Sequence, residues 1–142
     1  MKNEKNGITI TLTPEKAEEF FHNALCNEGG QFASYGFQLN YSKVAYKKAK
    51  ESLLKKNPNS GVCQEDVWME ILRIESPNNY LIFDDIEGEG ENTKRIYLKD
   101  VHDKVALTPM RHLMNMINEE DDVDTADVII QSVLFDGEII FG

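Results

Sequence analysis

Residues 108–135, TPMRHLMNMINEEDDVDTADVIIQSVLF, decide how this chain folds. The run reads as two amphipathic helices joined by a short, strongly acidic corner. Thr108 is a good N-cap, and Pro109 suits the first helical position, where a missing N–H costs nothing. Met110, Leu113, Met114 and Ile117 then recur at i, i+3, i+4 and i+7, one face of a helix. Past Asn118 the chain turns through Glu119, Glu120, Asp121 and Asp122. Asp124 or Thr125 is expected to cap the second helix, with Asp127 in its first turn, where a carboxylate meets the positive end of the helix dipole. Ala126, Ile129, Ile130, Val133 and Leu134 make the second apolar stripe, and Val128 adds to a helix apolar enough to be buried. The competing reading is a strand over 128–135, because the run is β-branched and Asp136-Gly137 is a hairpin-turn signal. The cap and the 3.6-residue period favour the helix.

Working outward, Asp100 can cap a short helix through Val105 that leads into this hairpin. Beyond it, Asp136-Gly137 turns the chain into a predicted last strand, Glu138–Phe141, which would tie the C-terminus into a sheet. Upstream, Tyr80–Ile86 and Thr93–Lys99 read as two strands joined by the glycine-bearing turn 87–92, an antiparallel hairpin. Gln64–Ile74 is a helix with Val67, Trp68, Ile71 and Leu72 inward, stopped by Ser76-Pro77-Asn78-Asn79. Ser42 caps a lysine-rich helix to about Lys56, with Ala45, Tyr46, Ala49 and Leu53 inward, and 57–61 is a loop. A strand is expected across 34–41. Thr13-Pro14 opens the first helix, whose buried face is Ala17, Phe20, Phe21, Ala24 and Leu25, and Gly29-Gly30 ends it. Ile8, Ile10 and Leu12 alternate with threonines as a half-buried strand, and residues 1–7 are a flexible, polar N-terminus. This order predicts a single α+β domain over 1–142, with a small, mostly antiparallel sheet, helices packed on one face, and a C-terminal helical hairpin.

Composition narrows the function. With 142 residues the chain can bury a core without disulfides or metal. A formal charge of −10 argues against direct nucleic-acid binding and against anionic membranes. No apolar run reaches the roughly 20 residues that span a bilayer, and no apolar segment follows the polar start as in a secretory signal. Cys26 and Cys63 stand in no paired motif, so free thiols in a reducing cytoplasm are expected. Charge is also unevenly spread: residues 42–56 hold six lysines against Glu51, a local +5, while residues 84–127 hold thirteen acids against five bases, a local −8. Charge runs are commonly solvated faces. The functional alternative is a dipolar surface that steers a basic partner to its acidic side.

Each pattern that suggests chemistry has a plainer explanation. The acidic corner suits a hard cation, but from Asp122 an EF-hand loop would need an oxygen ligand where Ala126 stands and a glycine directly after it. Glu18, His22 and Cys26 share a helix flank at i, i+4 and i+8, yet no further ligands stand at metal spacing. Cys63 paired with His102 or His112 would be a nucleophile and base, but no oxyanion turn flanks Cys63, whose place near a helix start would at most lower its pKa. His112 lies one residue off its apolar stripe and is expected at the surface or boundary. Asp84 and Asp85, with Glu87, Glu89 and Glu91 beyond, raise a metal-dependent hydrolase, without the basic groove that a nuclease needs. Phosphate-loop and dinucleotide fingerprints are missing. A DNA-reading helix-turn-helix is excluded by an apolar second helix and four consecutive acids in its turn.

The segments LKDVHDKV (98–105), TPMRHLMNMINE (108–119) and TADVIIQSVLF (125–135) resemble small proteins of bacteriophages and of mobile elements in gut bacteria. The resemblance covers about half the chain and implies no activity, catalytic residue or cofactor. The expected function is therefore a non-enzymatic, cytoplasmic protein-interaction module. It would bind a basic host partner through Glu119, Glu120, Asp121, Asp122 and Asp124, with no metal and no cofactor. A small metal-dependent hydrolase using Asp84 and Asp85, or a structural homo-oligomer, is the alternative.

Overall fold

The structure, a computed structural model, describes residues 2–5, 8–28, 35–59 and 61–141. The fold is α+β. The chain divides into two compact units, residues 1–35 with 99–142 and residues 36–98.

The first unit opens with an antiparallel pair, β1 (Lys2–Lys5) and β2 (Ile8–Thr11), in which Lys2 faces Thr11 and Lys5 faces Ile8. Part of the expected loose N-terminus is thus a strand. A polar run leaves no apolar period to read, and its pairing to β2 is through backbone hydrogen bonds. Helix α1 (Pro14–Glu28) follows, opened by Thr13, whose Oγ1 accepts the Lys16 N–H at 3.1 Å. The predicted Gly29-Gly30 stop lies outside the described residues, as does the first residue of the 34–41 strand. After the second unit the chain returns through α4 (Leu98–Lys104), a 3-10 turn (Val105–Leu107), α5 (Met110–Ile117) and α6 (Val123–Leu134). The predicted face of α1 is buried, and α1 packs along α6. Residues 125–134 are all buried, so the apolar run of α6 is a central helix and the strand reading of 128–135 is set aside.

Three local expectations at this hairpin are corrected. Helix α5 begins one residue late, with Pro109 at the N-cap position and Thr108 buried beneath it. The cap of α6 is Asp122, whose Oδ1 accepts the Thr125 N–H at 2.9 Å, and neither Asp124 nor Thr125 fills that place. The last strand does not form. Asp136-Gly137 instead closes α6 with a Schellman motif: Asp136 takes φ +55° and the Gly137 N–H donates to the Ser132 carbonyl at 2.8 Å. One buried side chain pairs with the backbone of the tail. Gln131 Oε1 accepts the N–H groups of Ile140 (3.0 Å) and Phe141 (2.9 Å), while its Nε2 donates to the Phe141 carbonyl at 2.8 Å. The buried amide satisfies the backbone groups that a neighbouring strand would otherwise meet.

The second unit is a three-stranded antiparallel sheet in the order β3 (Phe37–Asn40), β4 (Leu81–Asp85), β5 (Lys94–Ile96), with Leu39 opposite Phe83 and Leu81 opposite Ile96. Leu81, Phe83 and Asp85 alternate inward along β4 as the pleat requires. Helices α2 (Lys43–Lys56), capped by Ser42 as expected, and α3 (Gln64–Arg73) pack together, and α3 lies against β4. Met69 is buried on α3, whereas Trp68 is only half-buried. Glu70 is also buried on α3, and it accepts from Ser52 Oγ (2.7 Å) and Lys56 Nζ (2.9 Å), so a charge within the unit is met by its neighbours on α2.

Candidate functional site

The acidic corner is a rigid turn. Helix α5 ends in its own Schellman motif: Glu119 takes φ +56°, and the Glu120 N–H donates to the Asn115 carbonyl at 2.8 Å. Two of the five acids have structural work. Asp122 caps α6, and the Thr125 N–H beside it holds its carboxyl below the usual carboxylate range. Asp121 accepts from Asn27 Nδ2 at 2.6 Å, which fastens the turn to α1. Glu119, Glu120 and Asp124 point to solvent, and exposed apolar side chains flank them: Ile117 (45% exposed) on one side and Val123 (48%) on the other.

Around the corner from these acids lies a pocket of about 550 Å³, walled by α5, α6, Tyr35 and the C-terminal tail. Its polar groups converge from sequence-distant places. His112, expected near the surface, is buried, because a residue one step off the stripe of α5 meets Thr125 on α6. Burial in the first place, and then the Arg111 charge, push its imidazole below the usual histidine range, and Asp124 and Asp122 offset this only in part. Arg111 Nη2 lies 3.1 Å from His112 Nε2, and a guanidinium only donates. Nε2 is therefore the acceptor, and the proton sits on Nδ1, which donates to Thr125 Oγ1 at 2.9 Å. Asp124 Oδ2 stands 4.0 Å from Nε2.

Asp127 is the other buried polar group in the wall. Burial is the main cause that raises its carboxyl above the ordinary range, and hydrogen bonds from Tyr35 and Gln131 oppose it. Both donors reach Oδ2, Tyr35 Oη at 3.1 Å and Gln131 Nε2 at 3.0 Å. Oδ1 is enclosed and meets no donor among the described residues. The Tyr35 ring stacks on Phe141 with centroids 5.1 Å apart. One buried glutamine thus joins the Asp127 carboxylate to the tail that forms one wall.

No protein family, curated protein or solved structure matches this chain. The remaining sequence candidates separate. Asp85 is buried and its carboxylate is a turn organiser: Oδ1 accepts the Gly88 N–H at 2.8 Å, and Oδ2 accepts the Asn92 N–H at 3.1 Å and Asn92 Nδ2 at 3.2 Å. Asp84 accepts from Thr93 Oγ1 at 3.0 Å. Glu18 Oε2 meets His102 Nε2 at 2.8 Å, while His22 Nε2 lies 3.9 Å from Cys26 Sγ, so that helix-flank trio is divided between two contacts. Cys63 is at the N-cap of α3. The Asp66 backbone N–H lowers its thiol pKa, but the Asp66 carboxylate and burial outweigh that, and the net shift is upward. Thiolate activation by the helix start is therefore overturned: an acid-rich first turn cancels the dipole. Among the described residues no group of three His, Cys, Asp or Glu side chains is placed to hold a metal ion, and no helix is long and apolar enough to cross a membrane.

The sequence reading found the acidic corner but missed the pocket. Its signals were His112 and Asp127, polar residues inside apolar runs, together with a lone Gln131 in the most apolar helix of the chain.

Proposed function

We propose that this chain is a non-enzymatic binding module whose acidic corner docks a basic protein partner. The observation that carries the reading is the composition of one rigid turn: exposed Glu119, Glu120 and Asp124 flanked by exposed Ile117 and Val123. Carboxylates alone are ordinary surface, but apolar side chains left in water beside them are the ingredients of an interface, with anchors for burial and charge for orientation. The net charge of −10 favours encounter with a basic partner. We take the partner to be a host protein, as a phage or mobile-element origin of the chain would imply. A DNA-handling protein, whose own site is basic, would suit the acidic turn.

The test compares the wild-type chain with E119Q/E120Q/D124N as bait in nuclease-treated host lysate, at low and at high salt. Asp121 and Asp122 are left in place because they hold the turn. A basic protein retained by wild type, lost in the triple variant and lost at high salt is the expected result. Capture insensitive to both salt and substitution would overturn the reading. Solution mass, measured alongside, separates a foreign partner from self-association through the same turn.

A further inference from the structure

We propose that the pocket between α5, α6 and the tail binds a small organic ammonium ion with an apolar body. The volume, about 550 Å³, is that of small-molecule sites. Among the described residues two side-chain carboxylates line it, Asp124 at the rim and Asp127 in the wall. The one lysine or arginine in the lining, Arg111, is turned onto His112 Nε2. Asp127 is 5% exposed, its Oδ1 is enclosed and takes no hydrogen bond from any described residue, and its Oδ2 takes two neutral donors, so the wall holds a buried carboxylate whose charge these contacts do not neutralise. A carboxylate in that state is costly, and a cation in the adjoining pocket relieves its charge. Tyr35 and Phe141, stacked on each other, and Val123, Val128 and Ile139 give the lining apolar surface for the body of such a cation. An anionic ligand would face two carboxylates for one guanidinium already engaged, and a neutral one would leave the charge of Asp127 unmet. The pocket adjoins the docking turn and shares Val123 and Asp124 with it, while Asp127 and the aromatic lining lie outside the turn.

The probe is 2-phenylethylammonium, titrated into the full chain at neutral pH and moderate salt, with side-chain NMR shifts of Tyr35, Val128, Ile139 and Phe141 as the readout. Methylammonium, 2-phenylethanol and phenylacetate separate charge from shape. The expected order places 2-phenylethylammonium at least about tenfold tighter than the alcohol, as a positive charge beside a buried carboxylate implies. Methylammonium and phenylacetate should leave the four side chains unmoved. Asp127→Asn should bring the amine down to the affinity of the alcohol, and Asp124→Asn should weaken it by about twofold, as a screened rim charge would. If Asp127→Asn fails to fold, the rank order on the wild-type chain decides alone. Equal binding of amine and alcohol, tighter binding of phenylacetate, or shifts confined to residues outside the pocket would each overturn the assignment.

Discussion

Among single residues, Asp85 shows how a sequence suggestive of catalysis becomes architecture. Its two oxygens collect three N–H groups from Gly88 and Asn92 and close the turn between β4 and β5. A carboxylate so occupied has little left for a metal ion. The arrangement depends on Gly88, where an added Cβ would overlap the Asp85 carboxylate. Gly88→Ala should therefore destabilise the chain by roughly 1–3 kcal/mol, through overpacking and a broken hydrogen-bond set, as read by denaturant unfolding. His112 makes a second residue-scale prediction. Its folded pKa lies below that of an unfolded histidine, so the unfolded state takes up a proton first as pH falls. Stability contributed by neutral His112 is complete above the unfolded value of about 6.5 and declines below it. In His112→Gln, which keeps an acceptor for Arg111, the loss between about pH 7 and pH 5 should be shallower than in wild type. Parallel slopes for the two proteins would remove His112 from that role.

At the scale of elements, both helices of the C-terminal hairpin stop on an acid in the left-handed region, Glu119 after α5 and Asp136 after α6. Glycine is the residue this position ordinarily selects, because a Cβ there costs about 1–2 kcal/mol. Glu119→Gly should thus raise stability by about 0.5 kcal/mol once the greater freedom of glycine in the unfolded chain is subtracted. A fall in melting temperature would show that the Glu119 side chain does more than fill the turn. Asp122→Ala should act in the opposite sense, because it removes the only side-chain cap of α6. Since the Asp122 carboxyl titrates below the ordinary range, the wild-type advantage should persist at neutral pH and fade only as acid protonates the cap. These ends also mark where sequence reading succeeds and fails. Periodicity located α1, α2, α3, α5 and α6, because burying one face every 3.6 residues leaves a trace in the sequence. The stops and caps left weaker traces, since Glu119 and Asp136 occupy a glycine's place and several acids compete for one cap. The strand predicted over 138–141 failed for a related reason. An extended apolar tail is compatible with a sheet edge, and only the fold reveals that Gln131 is its partner. The acidic corner was visible because charge is visible in a sequence. The pocket was not, because Tyr35, Arg111, Asp127 and Phe141 become neighbours only through tertiary packing.

For the whole molecule, the unequal charge of its segments becomes a question of what salt does. A chain of formal charge −10 repels itself when folded, and Glu119, Glu120, Asp121, Asp122 and Asp124 concentrate that repulsion in one turn. Against it stand local ion pairs, among them Lys56–Glu70 and Lys104–Asp136, which salt would weaken. The exposed partners of such pairs hold little energy, so the net repulsion should dominate. Between about 10 mM and about 150 mM salt the screening length falls from roughly 30 Å to roughly 8 Å, and the melting temperature should rise by a few degrees. The variant E119Q/E120Q/D124N, with three charges removed and the cap intact, should begin higher at low salt and gain less from added salt. That pattern would identify the acids of the turn as groups held at a cost in stability, as expected of side chains kept for a partner. A melting temperature that falls with salt in both proteins would mean that local pairs outweigh self-repulsion. The exposed acids would then cost the fold nothing, and the strongest energetic motive for a basic partner would be gone.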